Sequence, residues 1–183
     1  NRSNFKKFKI GAKYLVYDPY KNRDDGPNLY SYWANNKFKW NSLIPAVSVY
    51  AGINIDGENN PYTAPGIKGV SPIFTIATQN NFSNNFVLIT NLILERIGTD
   101  QNDFEYITTL TYAINSQWVS FIEAHGINSD FYAENMLKFG AAYLSNENLQ
   151  LDASLVINFK NTPRIFYINF GGSYRFDLHK DSE

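Results

Sequence analysis

Strict period-two alternation is the feature that most limits what this chain can fold into. It is clearest in the stretch NENLQLDASLVINF, residues 146–159. The apolar set of this stretch is Leu149, Leu151, Ala153, Leu155, Ile157 and Phe159, and the set between them is Gln150, Asp152, Ser154, Val156 and Asn158. Because successive side chains of a β-strand point to opposite faces, the pattern predicts a strand with one apolar and one polar face.

The same alternation recurs along almost the whole chain, and helical periodicity is nearly absent. We count nine such segments of about 9–13 residues each, with the orientation of the two faces left open in residues 117–125. Strands of soluble proteins average about five or six residues, whereas crossing a bilayer at a tilt takes about 9–11. Segment length therefore favours lipid, rather than a protein core, as the neighbour of the apolar face.

Composition narrows the choice to two classes of β-protein. Apolar residues make up 44% of the chain, yet no apolar run approaches the roughly 18 residues of a membrane-spanning helix. The chain is therefore either a soluble β-protein or a membrane β-barrel. A net charge of -1 gives no support for a nucleic-acid partner, and the absence of cysteine excludes disulfides and thiolate metal sites.

The connections between the segments have a rhythm of their own. Short polar turns at 80–85, 115–117 and 145–148 alternate with longer connections at 56–69, 98–103 and 126–135, and the short stretch 160–163 is the exception. Outer-membrane barrels alternate short periplasmic turns with longer outer loops in this way, and they place aromatic girdles near the strand ends, where Trp118 and Tyr143 fall. The long segment 18–42 breaks the rhythm, as either a periplasmic insertion or a tenth strand over 29–40.

The requirement for an even number of strands bears on how many strands the complete barrel has. Bacterial outer-membrane barrels have an even number of strands. Nine segments therefore require either the tenth strand or further strands upstream of Asn1. We predict a single all-β domain over 1–183, an antiparallel transmembrane β-barrel of about 10–12 strands whose N-terminal strands are missing if 29–40 is not a strand.

Four stretches resemble one known family. FKIGAKYLVY, NENLQLDASLVINF, SFIEAHG and INFGGSYRF are similar to strands of the outer-membrane β-barrel family described as the putative transporter of the meta-pathway of phenol degradation. The match includes the closing Arg175–Phe176 pair, Asp152 of the penultimate strand, and Glu123. The Asp-Arg-Pro motif of the family's earlier strands has no counterpart here. The resemblance implies a barrel in the bacterial outer membrane with a transport role.

Charged side chains on the polar face are the candidate functional residues. If the apolar face meets lipid, the polar set lines the lumen; its titratable members are Lys9, Lys13, Glu95, Glu105, Glu123, His125, Lys138, Asp152 and Arg175, with Lys7 preceding them. One interpretation is an internal network of ion pairs that stiffens or closes the barrel, and it is favoured because side chains fill a lumen of this size. The other is a polar path for a solute.

The sequence does not favour catalysis or metal binding. His125 lies near Glu123, but no GxSxG motif accompanies it, so we interpret it as a lumen or rim histidine and predict no enzyme activity. Carboxylates in the predicted outer loops, Asp56, Glu58, Asp100 and Asp103, lack the spacing of an EF-hand. We interpret them as solvated loop residues and predict no metal or other cofactor.

Three functions follow from this reading, in order of preference. The first is a transporter or channel for small or hydrophobic molecules, with outer-membrane lipid as the surrounding partner. The second is a structural accessory barrel bound to other outer-membrane proteins in an assembly, secretion or uptake machine. The third is a soluble ligand-binding barrel of the lipocalin type. No nucleic-acid partner is expected for any of them.

Overall fold

The computed structural model describes residues 8–21, 40–57, 69–83, 85–99, 102–129, 133–146, 148–159 and 166–176. These residues form nine β-strands and a 3-10 helix, Trp40–Leu43, that precedes the second strand. The strands are β1 (Phe8–Tyr17), β2 (Ala46–Asp56), β3 (Gly69–Asn81), β4 (Phe86–Glu95), β5 (Asp103–Ala113), β6 (Trp118–Ser129), β7 (Ala133–Asn146), β8 (Leu149–Asn158) and β9 (Phe166–Tyr174). Within the described ranges, no helix has the length and apolar content needed to span a bilayer.

Each strand pairs antiparallel with the next strand in the chain, giving one sheet in the order β1 to β9. This confirms the predicted all-β antiparallel fold. The sheet is not closed in the described part of the chain, because β1 and β9 lie at its two edges. In a nine-stranded meander the first and last strands run in the same direction, so antiparallel pairing cannot join them. The predicted total of ten to twelve strands stays a prediction, since residues 1–7 and 22–39 lie outside the described ranges.

The pairing register places the apolar sets of all nine strands on one side of the sheet, here called the apolar face. Ala153, for example, pairs with Ala141 and with Phe170. This face is open, with Leu155 45% and Phe170 83% exposed. On the opposite side, the polar face, the buried residues include Asn54, Asp56, Ser71, Glu95, Asp103, Glu105, Glu134 and Ser154. The burial pattern is therefore the reverse of that in a soluble domain, where apolar side chains are buried and charges are exposed.

The two ends of the sheet differ in their connections. Turns 82–85, 114–117 and 147–148 define the short-turn end, where the Asn115 and Asn146 side chains accept hydrogen bonds from the backbone of their own turns. Connections 57–68, 96–102, 130–132 and 159–165 define the long-connection end. The three predicted short turns are confirmed.

The prediction of a long connection over 126–135 is wrong. Strand β6 continues to Ser129 and β7 begins at Ala133, with Asn128 paired to Ala133. Only 130–132 separate the two strands. Ladder hydrogen bonds join backbone groups, so a strand can continue through polar residues that sequence alone assigns to a loop.

The long segment between β1 and β2 is held to the short-turn end at both of its described ends. The Tyr20 hydroxyl accepts a hydrogen bond from the Asn81 backbone at 2.9 Å and lies 3.3 Å from the Ile44 carbonyl oxygen. The Asn80 side-chain amide donates to the Leu43 carbonyl oxygen at 2.9 Å. The predicted tenth strand over 29–40 falls almost entirely outside the described residues, apart from Trp40, which begins the 3-10 helix.

Gly52 is required by the close approach of β1 and β2. A Cβ atom at Gly52 would collide with the Ile10 carbonyl oxygen, a backbone atom that cannot rotate away. We expect Gly52→Ala to lower the free energy of unfolding by about 1–3 kcal/mol, as other overpacked sites do. Gly172→Ala is the matched control, because its Cβ would make only ordinary van der Waals contacts, with Leu151 Cδ2 at 3.6 Å and the Gln150 carbonyl oxygen at 3.9 Å. Urea unfolding of both variants in detergent micelles measures the difference, and equal losses would contradict the steric argument.

Candidate functional site

The polar face is the concave side of the sheet. Lys9 on β1 forms an ion pair with Glu95 on β4, three strands away. In a flat sheet those strands would be roughly 14 Å apart, since neighbouring strands are spaced by about 4.8 Å. The two side chains can meet only if the sheet curls with this face inside. The concave polar face is therefore where a lumen or a ligand site would lie.

A charged cluster, defined as Lys9, Asp56, Glu95, Arg96 and Asp103, occupies the concave side at the long-connection end. Arg96 pairs with Asp103, and its Nε lies 3.5 Å from Asp56 Oδ2. All members except Lys9 are buried, and Glu95 is only 1% exposed. Arg96 adopts a positive φ of 54°, and its carbonyl oxygen accepts hydrogen bonds from the backbone and hydroxyl of Thr99. The cluster thus joins three strand ends through one guanidinium.

This cluster corrects part of the sequence interpretation. Asp56 and Asp103 were expected to be solvated loop carboxylates, but Asp56 is the last residue of β2 and Asp103 is the first residue of β5, and both are buried. A buried carboxylate needs a compensating charge, and Arg96, which the sequence analysis did not single out, provides it. Glu58 and Asp100 lie outside the described residues.

Two further pairs lie on the same face beyond the cluster. His125 Nε2 is 3.5 Å from Glu105 Oε2. Lys138 Nζ is 3.6 Å from Glu123 Oε1, and Glu123 also accepts a 2.9 Å hydrogen bond from the Thr109 hydroxyl. The structure thus places these four predicted residues, with Lys9 and Glu95, in pairs of opposite charge, His125 being charged only when protonated.

Glu134 is a buried carboxylate that the sequence analysis assigned to a loop. Its side chain is almost fully buried, at 1% exposure, and Oε1 accepts a 2.6 Å hydrogen bond from the Asn158 side-chain amide. The alternation continues through it, because Glu134 and Met136 share the polar face with Lys138. The two-residue spacing of Glu134, Met136 and Lys138 in the sequence therefore indicates that Glu134 belongs to the polar face.

The remaining three predicted residues lie apart from these pairs. Lys13 lines a cavity of about 440 Å³ toward the short-turn end. Asp152 lies on the polar face of β8, with its carboxylate over Gly171 of β9. Arg175 follows β9, is exposed, and donates its backbone N–H to the Asn148 carbonyl oxygen at 2.8 Å. A lumen-lining role for the nine predicted residues stays a prediction.

The chemistry available on the polar face is that of paired charges and hydrogen bonds. The described residues contain no group of three or more His, Asp or Glu side chains arranged to hold a metal ion. The arrangement can stiffen the sheet, fill part of the concave side, and set the charge that a passing solute would meet.

Comparison with known protein families gives a match over most of the chain. The model of a protein family described as "Putative MetA-pathway of phenol degradation" matches residues 1–176, nearly the whole chain. Neither the curated proteins nor the solved structures contain a significant match.

Proposed function

Because the chain belongs to the family described as "Putative MetA-pathway of phenol degradation", we propose that it is a bacterial outer-membrane β-barrel protein that passes small or hydrophobic molecules through its concave polar side. The family description supports a link to the breakdown of phenolic compounds. The fold supports a barrel, since it is an antiparallel meander that curls with its polar face inside.

The reversed burial pattern is the observation that carries this proposal. In water, an open face carrying Leu92, Leu110, Leu151, Leu155 and Phe170 would be a far larger apolar patch than monomeric soluble proteins expose. In a bilayer, the same face meets hydrocarbon. Aromatic pairs near the short-turn end add to this argument, with ring centroids 4.6 Å apart for Phe86 and Tyr112 and 4.8 Å apart for Trp118 and Tyr143. Such aromatic belts sit at membrane interfaces.

The location has a direct test. The protein, expressed with an outer-membrane export signal, is expected to fractionate with the outer membrane and to need detergent for extraction. Recovery as a monodisperse protein in plain buffer would contradict the membrane assignment and would favour the soluble ligand-binding barrel.

Charge on the polar face gives a test of transport. We expect the protein to conduct ions in planar bilayers. Lys138→Met is expected to move the reversal potential toward the equilibrium potential of the cation, and Glu105→Gln is expected to move it toward that of the anion. The shifts are opposite because each variant removes one sign of charge from the same face. Measurement under a tenfold salt gradient compares both variants with the wild type, and shifts of the same sign would contradict a path along this face.

The ion pairs themselves favour a second candidate function. The charged cluster and the Lys138–Glu123 pair occupy space on the concave side, and in both of them opposite charges lie side by side. A barrel filled in this way would suit a structural accessory subunit of a larger outer-membrane complex. Conductance that is absent from the wild type and from both variants, together with a stable companion in a detergent pull-down from native membranes, would support this function instead.

A further inference from the structure

Part of the polar face, as far as the structure describes it, is not filled by ion pairs. The cavity of about 440 Å³ toward the short-turn end lies on the concave side of β1 to β4. Its lining residues are Lys13, Leu15, Ala46, Ser48, Ala77, Thr78, Gln79, Ile89 and Asn91. The volume falls within the range of about 300–1,000 Å³ that is usual for small-molecule sites.

Lys13 differs from the paired basic residues of the polar face. Lys9, Arg96 and Lys138 each have a carboxylate partner, whereas Lys13 forms no ion pair with any described residue. Among the described residues that line the cavity, none is a carboxylate. Four of the buried carboxylates, Asp56, Glu95, Asp103 and Glu134, lie at or next to strand ends at the long-connection end. The described part of the lining therefore carries a formal charge of +1, whereas the opposite end of the polar face is acidic. A cation with no carboxylate among its described neighbours favours an anionic ligand.

We propose that this cavity binds a small amphipathic monocarboxylate, with its carboxylate at Lys13 and its apolar body against Leu15, Ala77 and Ile89. The inference rests on the proposed function, because the ligand would be the class of solute that enters the concave side. It goes beyond that function by naming the solute class and the residue that recognises it.

The lining fits such a ligand at both ends. A carboxylate has about four acceptor sites, and the Ser48 hydroxyl, the Gln79 amide and the Asn91 amide provide neutral donors beside the Lys13 ammonium. A doubly charged phosphate monoester would find one cation among the described lining residues. The apolar walls favour a hydrocarbon body over a sugar, because they cannot satisfy hydroxyl groups.

Binding can be measured separately from transport. The probe is cyclohexanecarboxylate, with cyclohexylmethanol as its uncharged match, titrated calorimetrically into the protein in lipid nanodiscs. We expect saturable binding of the carboxylate to the wild type and at least tenfold weaker binding to Lys13→Met, since the variant loses a charge-assisted hydrogen bond. Lys13→Arg keeps the cation and is expected to bind within about threefold of the wild type.

Lys21→Met is the matched control, because it removes the same charge from an exposed turn residue that does not line the cavity. Unchanged binding by this variant would support a local role for Lys13. The proposal is overturned if the wild type shows no saturable binding, if the alcohol binds as tightly as the carboxylate, or if Lys21→Met weakens binding as much as Lys13→Met.

The bilayer experiment keeps the two proposals distinguishable. A protein that conducts but does not bind cyclohexanecarboxylate retains the proposed function and loses this site. A protein that binds the carboxylate through Lys13 but is electrically silent retains the site and loses the transport role.

Discussion

Replacing Arg96 by methionine is expected to lower the free energy of unfolding by about 3–5 kcal/mol, the usual cost of removing one partner from a buried ion pair. Arg96, Asp56 and Asp103 are all buried, and the guanidinium is the charge that faces both carboxylates. Without it, the two carboxylates would be left in a poorly solvated site. Methionine keeps most of the side-chain volume and has no branch at Cβ, so the positive φ at this position is not made more costly.

A triple variant separates charge from packing at this position. Asp56→Asn and Asp103→Asn combined with Arg96→Met remove the carboxylates together with their partner, and we expect the triple variant to recover most of the lost free energy. Non-additivity of this kind is the signature of residues that interact directly. Urea unfolding in detergent micelles, followed by tryptophan fluorescence, measures all the variants. A loss below about 0.5 kcal/mol in Arg96→Met, the range of an ordinary surface change, would show that the cluster does not depend on the guanidinium.

The alternation of the sequence predicted the strands well, because each strand has to present one apolar and one polar face. The nine predicted segments correspond to the nine strands of the sheet. Where both faces carried apolar residues, the pattern could not orient the strand. In β6, Trp118 and Ile122 compete with Val119 and Phe121, and only pairing across the sheet, with Glu123 opposite Thr109 and Lys138, fixes which set is inside.

The charged cluster was harder to predict, because its residues look like the ends of loops. Asp56 and Asp103 stand next to Gly, Asn and Asp residues, which are typical of turns. Their positions nevertheless keep the parity of the polar set, since Asp56 follows Asn54 and Asp103 precedes Glu105 at two-residue intervals. When the two-residue alternation is continued to the strand ends, it therefore places Asp56 and Asp103 on the polar face. Their burial depends on the curl of the sheet, which no local pattern contains.

The cavity at Lys13 depends on curvature even more strongly. Its lining comes from the consecutive strands β1 to β4, and the side chains of β1 and β4 approach the same space only when the sheet curls. The sequence could place Lys13 on the polar face by its position in the alternation. It could not show that Lys13 has no carboxylate partner among the described residues while Lys9, four residues earlier on the same face, pairs with Glu95 of β4.

Replacing Leu155 by arginine is expected to give the second large effect, a loss of about 2–4 kcal/mol in the free energy of unfolding in lipid vesicles. Leu155 lies inside β8 on the apolar face, paired with Phe139 and Ile168. In a bilayer, arginine at this depth would enter hydrocarbon, and the cost reflects desolvation of the charge. In water, the same substitution at a half-open position would change stability by no more than about 0.5 kcal/mol.

Ile114→Arg is the matched control for this prediction. Ile114 is also an exposed aliphatic residue, but it lies in the turn between β5 and β6, beyond the end of the strands. We expect the control to cost at most about 1 kcal/mol, because charges near the interface are tolerated. The difference between the two variants therefore measures depth in lipid rather than loss of an apolar contact. If Leu155→Arg and Ile114→Arg lose the same free energy, the apolar face does not meet hydrocarbon, and the reversed burial pattern needs a protein partner to cover it.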